Sequence, residues 1–376
     1  MRTIIAFLIV IAVLSIFSSS GQSPDSFSKQ TDKKQSIVES AGQAAIVKPE
    51  KPSAVSAIDT LITAGPESGE TIEETNKVVF EFEAKIPSKE AKSRIFFETK
   101  IIGFDDDWQK TSSKKRKITL PLGPKEYTFL VRAKTKDSTD ITPAQRTFKI
   151  NVSPYFEKVR ISKVTIPSSS RPSLTTLITN LKEEEKINIT GWQIKGRNGS
   201  AVIPQGIKKW LPGYNYADKD IFIKQGDKIY LSGSSNPLGK NRNFLNNKCF
   251  GYIAKSKNFI TPVSGSCPKP EKEEISHLHI CCQEFINRRV NRCFVPDYSK
   301  NFKIYNDSEC VDFLNETFNY EGCFRKYSRD EDFLRNDWHI YLSTEIAADS
   351  YCDTIYLTDQ NGLVVDKYSY GRDICR

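Results

Sequence analysis

The sequence predicts a mainly β protein whose C-terminal third carries a small, disulfide-rich helical segment. Three observations carry that expectation. Side-chain polarity alternates with period two in short runs from Ile58 onward, turn-forming residues separate those runs, and all nine cysteines lie at or beyond Cys249. Alternation with period two marks strands with one face in a core, because successive side chains of a strand point to opposite faces of the sheet.

The chain opens with Arg2, an almost unbroken apolar run over residues 4–17, and the small residues Ser18, Ser19, Ser20 and Gly21. A basic start, a short apolar stretch and small residues at its end read as a secretion signal peptide over residues 1–20. The run is shorter than the roughly 20 residues that span a bilayer; an uncleaved N-terminal anchor is the alternative. Residues 21–57 are rich in Ser, Gln, Lys, Ala and Pro, with Phe27 as their one aromatic residue. Such a stretch buries too little apolar surface to offset its ordering entropy and is expected to be a flexible linker.

Next come the strands. Val78, Phe80, Phe82 and Ala84 alternate with Lys77, Val79, Glu81, Glu83 and Lys85, and further runs cover residues 95–102, 117–120, 127–133 and 147–152. Pro87, Gly103, Pro121, Gly123, Pro124 and Asp137 punctuate them. Short strands at regular spacing with no helical period between them predict an antiparallel sandwich. Residues 59–66, Phe97-Glu98, Gly103-Phe104-Asp105-Asp106-Asp107-Trp108, residues 126–133 and residues 142–148 resemble the Ig-like or fibronectin-type-III-like modules of bacterial extracellular proteins. The resemblance covers residues 58–154. It implies a spacer or adhesive unit in which Trp108 is a core or inter-sheet residue. Asp105, Asp106 and Asp107 are the oxygen ligands a hard cation prefers, but three consecutive acids point in different directions, so a solvated turn is expected.

A second resemblance begins after Pro154. Residues 159–164, 177–180, 187–194, 201–204, 220–231 and 355–370 are similar to a lamin-tail domain, with Thr190-Gly191-Trp192 and the closing strand–turn–strand as its most specific parts. It implies a second Ig-like sandwich over residues 155–376, with Trp192 filling the core where Gly191 allows close approach, and a tight hairpin at Asn361-Gly362. The departure from a simple module is an insertion at about residues 268–336. Its surroundings, residues 243–252 followed by Cys267-Pro268, look like lamin-tail-containing surface proteins of small-genome bacteria. The expected architecture is therefore two consecutive Ig-like β-sandwiches, the second carrying a small disulfide-rich α-helical insertion.

Within the insertion, Ile275, Leu278, Cys282, Phe285 and Ile286 share one helical face, with Glu271, Glu273 and Glu274 at its start and Arg288, Arg289 and Arg292 near its end. In an exported chain the cysteines read as a disulfide framework. An unbroken helix would hold Cys282 and Cys293 about 16 Å apart, whereas a disulfide needs Cα atoms within about 7 Å. Pairing them requires the helix to end near Arg289. Spacing admits Cys249 with Cys267, Cys282 with Cys293, Cys310 with Cys323 and Cys352 with Cys375, leaving Cys281 unpaired, although sequence leaves the connectivity open.

His277, His279, Cys281 and Cys282 form a rival zinc cluster, since residues i and i+4 of a helix can share one ion. The four point around the helix and no Cys-x-x-Cys pair is present, so neither metal nor cofactor is expected. The three histidines, His277, His279 and His339, sit in no nucleophile, zinc-hydrolase or phosphate-loop motif. Glu183-Glu184-Glu185 and Asp330-Glu331-Asp332 read as solvated turns or helix starts.

Function is read from charge and aromatics. The formal charge of +9 suits anionic partners and equally suits a charge that merely keeps the protein in solution, while the even spread of basic residues argues against nucleic acid. Trp210, Tyr214 and Tyr216, in a loop punctuated by Pro212 and Gly213, are the candidate binding residues; equally, they could pack beneath their own loop. The first expectation is a non-enzymatic cell-surface or secreted protein that mediates adhesion or protein or glycan interaction. Its partners would be a surface protein, a glycan or a cell-envelope polymer, with membrane contact only through an uncleaved N-terminal segment. The alternative is an exported enzyme or nucleic-acid-processing accessory, because lamin-tail modules accompany nucleases in some bacterial proteins. A concave pocket with converging titratable groups would favour the alternative.

Overall fold

The computed structural model describes residues 58–86, 94–168, 172–214, 217–342 and 348–371. The signal segment, the linker, Tyr216 and Cys375 lie outside the described residues. Eight strands build the first sandwich: β1 (Asp59–Ala64), β2 (Thr71–Ile72), β3 (Lys77–Lys85), β4 (Phe96–Ile102), β5 (Gln109–Thr111), β6 (Lys115–Thr119), β7 (Lys125–Lys134) and β8 (Ala144–Ile150). One sheet has the order β1-β3-β6 and the other β2-β8-β7-β4-β5. The alternation in β3 does what its pattern dictates: Val78, Phe80 and Phe82 face inward to meet residues of the opposite sheet. Phe80 stacks on Phe129 with ring centroids 3.9 Å apart, and Phe82 meets Phe97 edge-on at 4.9 Å.

Trp108 corrects its expectation. It is half-buried at the surface beneath the guanidinium of Arg132, 4.2 Å from the ring centroid, and is not part of the sandwich core. The turn around it is only partly solvated. Asp105 accepts from the backbone N–H of Ile101 and pairs with Arg116 at 2.7 Å, whereas Asp106 and Asp107 are exposed.

The second sandwich is built from β9 (Val159–Thr165), β10 (Leu174–Thr179), β11 (Ile187–Asn188), β12 (Gln193–Gly196), β13 (Gly199–Val202), β14 (Phe222–Ile223), β15 (Lys228–Ser232), β16 (Phe244–Asn247), β17 (Leu334–Tyr341), β18 (Asp353–Thr358) and β19 (Val364–Tyr370). A sheet of order β16-β17-β15-β10-β9 and one of order β13-β12-β18-β19 enclose a shared core, and β11 pairs with β14. Most pairs are antiparallel, but β17 runs parallel to β15. Trp192 is fully buried in that core, and Gly191 before it holds a φ of +84°. That left-handed backbone is open to glycine at no steric cost. In the β18–β19 turn only Gly362 takes positive φ (+78°), and Asp359 accepts from the backbone N–H groups of Asn361 and Leu363.

The two sandwiches are joined by more than the chain. Val152 bridges to Val364, the Ser153 hydroxyl donates to Asp359 at 2.8 Å, and Glu157 N–H donates to the carbonyl of Val365. Farther out, Glu74 accepts from the Tyr356 hydroxyl at 2.8 Å and pairs with Lys367.

Among the described residues every α-helix lies between β16 and β17: α1 (Gly251–Ser256), α2 (Ile280–Arg288), α3 (Phe302–Tyr305), α4 (Ser308–Thr317) and α5 (Tyr320–Tyr327). Side-chain caps fix three of them: His279 accepts from Cys281 N–H before α2, Asp307 from Cys310 N–H before α4 and Asn319 from Gly322 N–H before α5. Lys248 closes the base of the insert, its ammonium 2.7 Å from both Asp330 and Asp332. These acids were expected to be merely solvated.

Three of the pairings that spacing admitted give way to others, while the fourth, Cys352 with Cys375, involves a residue outside the described ones. Cys249 bonds Cys323, Cys267 bonds Cys293 and Cys282 bonds Cys310, with Cα separations of 5.8, 5.2 and 5.8 Å. Cys352 is also disulfide-bonded, and Cys281 is a free thiol. The reason lies in helix faces. Cys310 and Leu314 share the buried face of α4, which packs on the Cys282 face of α2, while Cys323 on α5 faces Cys249 beneath β16. As the broken-helix argument requires, α2 ends at Arg288 and the chain turns back; Cys293 then meets Cys267 under Gly251, not Cys282.

Candidate functional site

The aromatic loop separates into a packing residue and a surface residue. Trp210 is 8% exposed, with its ring 6.1 Å from Phe250 and 5.7 Å from Tyr320, and its carbonyl accepts from the Tyr320 hydroxyl at 2.6 Å. It holds the loop onto the insert. Tyr214 is 61% exposed and borders a shallow cleft of about 380 Å³ formed with Leu238, Arg242, Ile253 and Lys257.

The His/Cys cluster does not converge. Cys282 is consumed in its disulfide, the Nδ1 of His279 caps α2 by accepting from Cys281 N–H, and His277 stands edge-on to Phe313. Among the described residues no group of three or more His, Cys, Asp or Glu side chains is placed to hold a metal ion. The strongly shifted groups are likewise scattered. His339 sits between Phe244 and Tyr230, ring centroids 5.0 and 5.2 Å away, and burial drives its pKa down to about 3. Burial pushes the Asp227 carboxyl up to about 6, although the backbone N–H of Lys224 donates to one of its oxygens. Tyr252 and Tyr341 are raised to about 12 by the same cause. At Lys248 burial opposes the charge, yet Asp330 and Asp332 outweigh it and hold the ammonium above the ordinary lysine range.

A larger concavity lies elsewhere, on the helical insert. After α2 ends, residues 289–301 run without regular structure to α3, and the two sides enclose a groove of about 660 Å³. Phe285 and Val290, both buried, form its floor. Its lining is mixed, and the apolar side chains in its walls stand in solvent: Phe294 is 47% exposed, Val295 65% and Phe302 79%. Arg289, Lys300 and Lys303 stand on the rim with one acid, Asp297, whose carboxylate accepts from the Ser299 hydroxyl at 2.7 Å and from its N–H. Those bonds hold the Asp297 pKa below the usual carboxylate range. Lys255 of α1 lies over the Phe294 ring at 4.8 Å, and the Tyr298 hydroxyl donates to Asn315 of α4.

Two braces hold this groove in shape, Cys267–Cys293 at one end and Cys282–Cys310 beneath it. Sequence reasoning passed over it because Phe294-Val295-Pro296 and Phe302 follow neither a helical nor a strand period. The available signal was the run of Arg288, Arg289, Arg292, Lys300 and Lys303 interleaved with aromatics. That mixture marks a contact surface when it occurs in a segment that pairs with no sheet.

Comparison with known proteins illuminates the first sandwich. The Y_Y_Y domain family matches residues 88–153, well under half of the chain. No curated protein sequence matches it. Among solved structures, the chain is similar to the extracellular domain of a one-component system from B. thetaiotaomicron, at 14% identity and a TM-score of 0.21, covering 27% of this chain and 16% of that one. A hybrid two-component system of the same organism gives 16% identity and a TM-score of 0.20 over 26% of this chain and 15% of that one. The FN1-FN3 domains of chicken CNTN1 give 10% identity and a TM-score of 0.20, covering 44% of this chain and 55% of that one. The chain thus spans about a sixth of the two bacterial structures. At these scores no activity or partner is carried over from any of the three.

Proposed function

We propose that this chain is an extracytoplasmic, non-enzymatic recognition protein, in which an Ig-like sandwich spaces a lamin-tail-like head from the N-terminal segment and the stapled insert makes the contact. The observation that carries the reading is the insert itself: short helices locked by disulfides, with apolar and cationic side chains standing out around a groove. Disulfides persist where the surroundings are oxidising. The lamin-tail reading draws support from the buried Trp192 behind Gly191 and from the closing β18–β19 hairpin. The dispersal of His339, Asp227 and Lys248 over separate environments favours binding over catalysis, which gathers its perturbed groups in one cleft. Adhesion to a surface protein, a glycan or an envelope polymer is the role that fits, with the excess of positive charge selecting anionic partners.

The test is binding of the purified, oxidised chain to intact cells and isolated envelopes of its source organism. Saturable binding that weakens as salt is raised is expected. Binding that does not saturate, or native chain recovered from inside cells with all its thiols reduced, refutes the reading.

A further inference from the structure

The geometry points to the occupant of the groove on the insert: an acidic protein segment carrying one large apolar side chain, which enters between Phe294 and Phe302 while its carboxylates meet Arg289, Lys300 and Lys303. The inference rests on the recognition reading above and names the chemistry of its partner.

Three features select this occupant. The first is charge complementarity. Three cations line the rim against the single carboxylate of Asp297, and that carboxylate is already engaged by Ser299. An anionic ligand is drawn in, and a cationic one is repelled. The second is the apolar part of the lining. Phe302 and Phe294 stand exposed over a floor made by Phe285 and Val290, so a purely polar anion, such as a phosphate or an acidic sugar, would leave that surface wet. Large side chains anchored in such recesses carry most of the energy of protein contacts. The third is shape. The floor is recessed and the volume of about 660 Å³ lies in the range of sites that enclose a ligand group. A planar bilayer would touch the rim and leave the floor empty. Prior bracing by Cys267–Cys293 and Cys282–Cys310 lowers the ordering cost of binding.

The experiment uses the full, oxidised chain and a short fluorescein-labelled peptide of Asp, Glu and Gly residues around one central Trp, read by anisotropy at low salt. Three comparison ligands accompany it: the peptide with Ala in place of Trp, the peptide with Lys in place of its acids, and vesicles containing phosphatidylglycerol. The acidic Trp peptide should bind with Kd on the order of 10–100 μM, and both altered peptides about tenfold or more weakly. Phe302→Ser and the double variant Lys300→Glu/Lys303→Glu should each weaken binding about tenfold, with melting temperatures unchanged because all three side chains stand in solvent. Tyr214→Ser, in the separate cleft, should leave binding as it was.

Absence of peptide binding by a folded chain overturns the proposal. So does binding that ignores the groove variants, equal affinity for the Ala peptide, or vesicle binding that depends on Phe302 without peptide binding. If intact cells still bind the Phe302→Ser and Lys300→Glu/Lys303→Glu variants while the peptide does not bind, the groove assignment falls and the recognition reading stands. If cell binding is absent altogether, the recognition reading falls first.

Discussion

Replacing His339 by Phe should change how the second sandwich responds to acid. His339 lies in β17 with both ring nitrogens buried and without a hydrogen-bond partner, between two aromatic rings. Its folded pKa is about 3, against about 6.5 for a free histidine. The unfolded chain therefore takes up a proton between those values and the folded chain does not. The stability contributed by the neutral ring is complete above about pH 6.5 and drains away as pH falls toward 3. From pH 7.5 to 4.5 the loss is about 3 kcal/mol, at 1.36 kcal/mol per pH unit of full differential protonation. Asp227 works in the opposite direction. Its folded pKa of about 6 lies above the unfolded value, so the folded chain takes up the proton first and gains about 2 kcal/mol over the same interval. In the natural chain the two nearly cancel, and each variant exposes the other. His339→Phe keeps the aromatic stack and removes the acid-labile group, so it should grow more stable at pH 4.5 relative to the parent by about 3 kcal/mol. Asp227→Asn should shift the same difference by about 2 kcal/mol the other way. Urea unfolding without reductant, followed by tryptophan fluorescence at both pH values, measures these differences. Parent and His339→Phe curves that fall in parallel with acid would show that this ring titrates normally and that the reasoning is wrong.

Other variants test packing and covalent bracing. A Cβ on Gly251 would lie 2.1 Å from the Cys293 sulfur and 2.7 Å from that of Cys267; Gly251→Ala should hinder that bond, so that thiol titration of the oxidised protein finds thiols beyond that of Cys281. Trp210→Ala should destabilise the insert by about 3–5 kcal/mol, as expected for a buried Trp, while Tyr214→Ala stays within about 0.5 kcal/mol; equal effects in thermal melts would contradict their different placement. The Cys249→Ser/Cys323→Ser pair opens a loop with a sequence separation of 74. It should cost about 4 kcal/mol by chain entropy, with limited proteolysis cutting first within residues 248–333.

How much of this was legible in the sequence follows the range of the interactions. The strand at Phe80 and Phe82 and the core place of Trp192 were readable because period and turn chemistry are local. Trp108 was misplaced, since a Trp beside a turn looks alike whether it enters a core or lies beneath an arginine of β7. Trp210 and Tyr214 share one loop and one composition, and only the arrival of Tyr320 from α5 sends one inward. The disulfide partners were beyond reach for the same reason. Cys249 finds Cys323 across a whole inserted subdomain, and which face α4 turns toward α2 is decided by Leu314 and Phe285, not by cysteine spacing. The groove left least trace, because Phe294 and Phe302 belong to no repeating element.

Bracing also predicts where the molecule should come apart. β16 and β17 are antiparallel neighbours that a tight turn could join, yet residues 248–333 depart and return between them. The helices in that excursion are short, and helices of this length are marginal without tertiary support. Their own buried cluster is a small one around Leu278, Ile286 and Leu314. The bonds at sequence separations 26 and 28 add about 3–4 kcal/mol each by chain entropy, a large share of what such a subdomain can have. The cores of both sandwiches, by contrast, contain no cysteine among their clustered residues. Reduction should therefore loosen the insert and leave the sandwiches folded. Hydrogen exchange in the presence of reductant should speed up in α2, α4 and the floor of the groove while β3, β7 and β15 stay protected, and binding through the groove should fall in step. Uniform loss of protection across both sandwiches on reduction would mean that the insert and the β framework fold as one cooperative unit, and that the braces stabilise the whole molecule, not the contact surface.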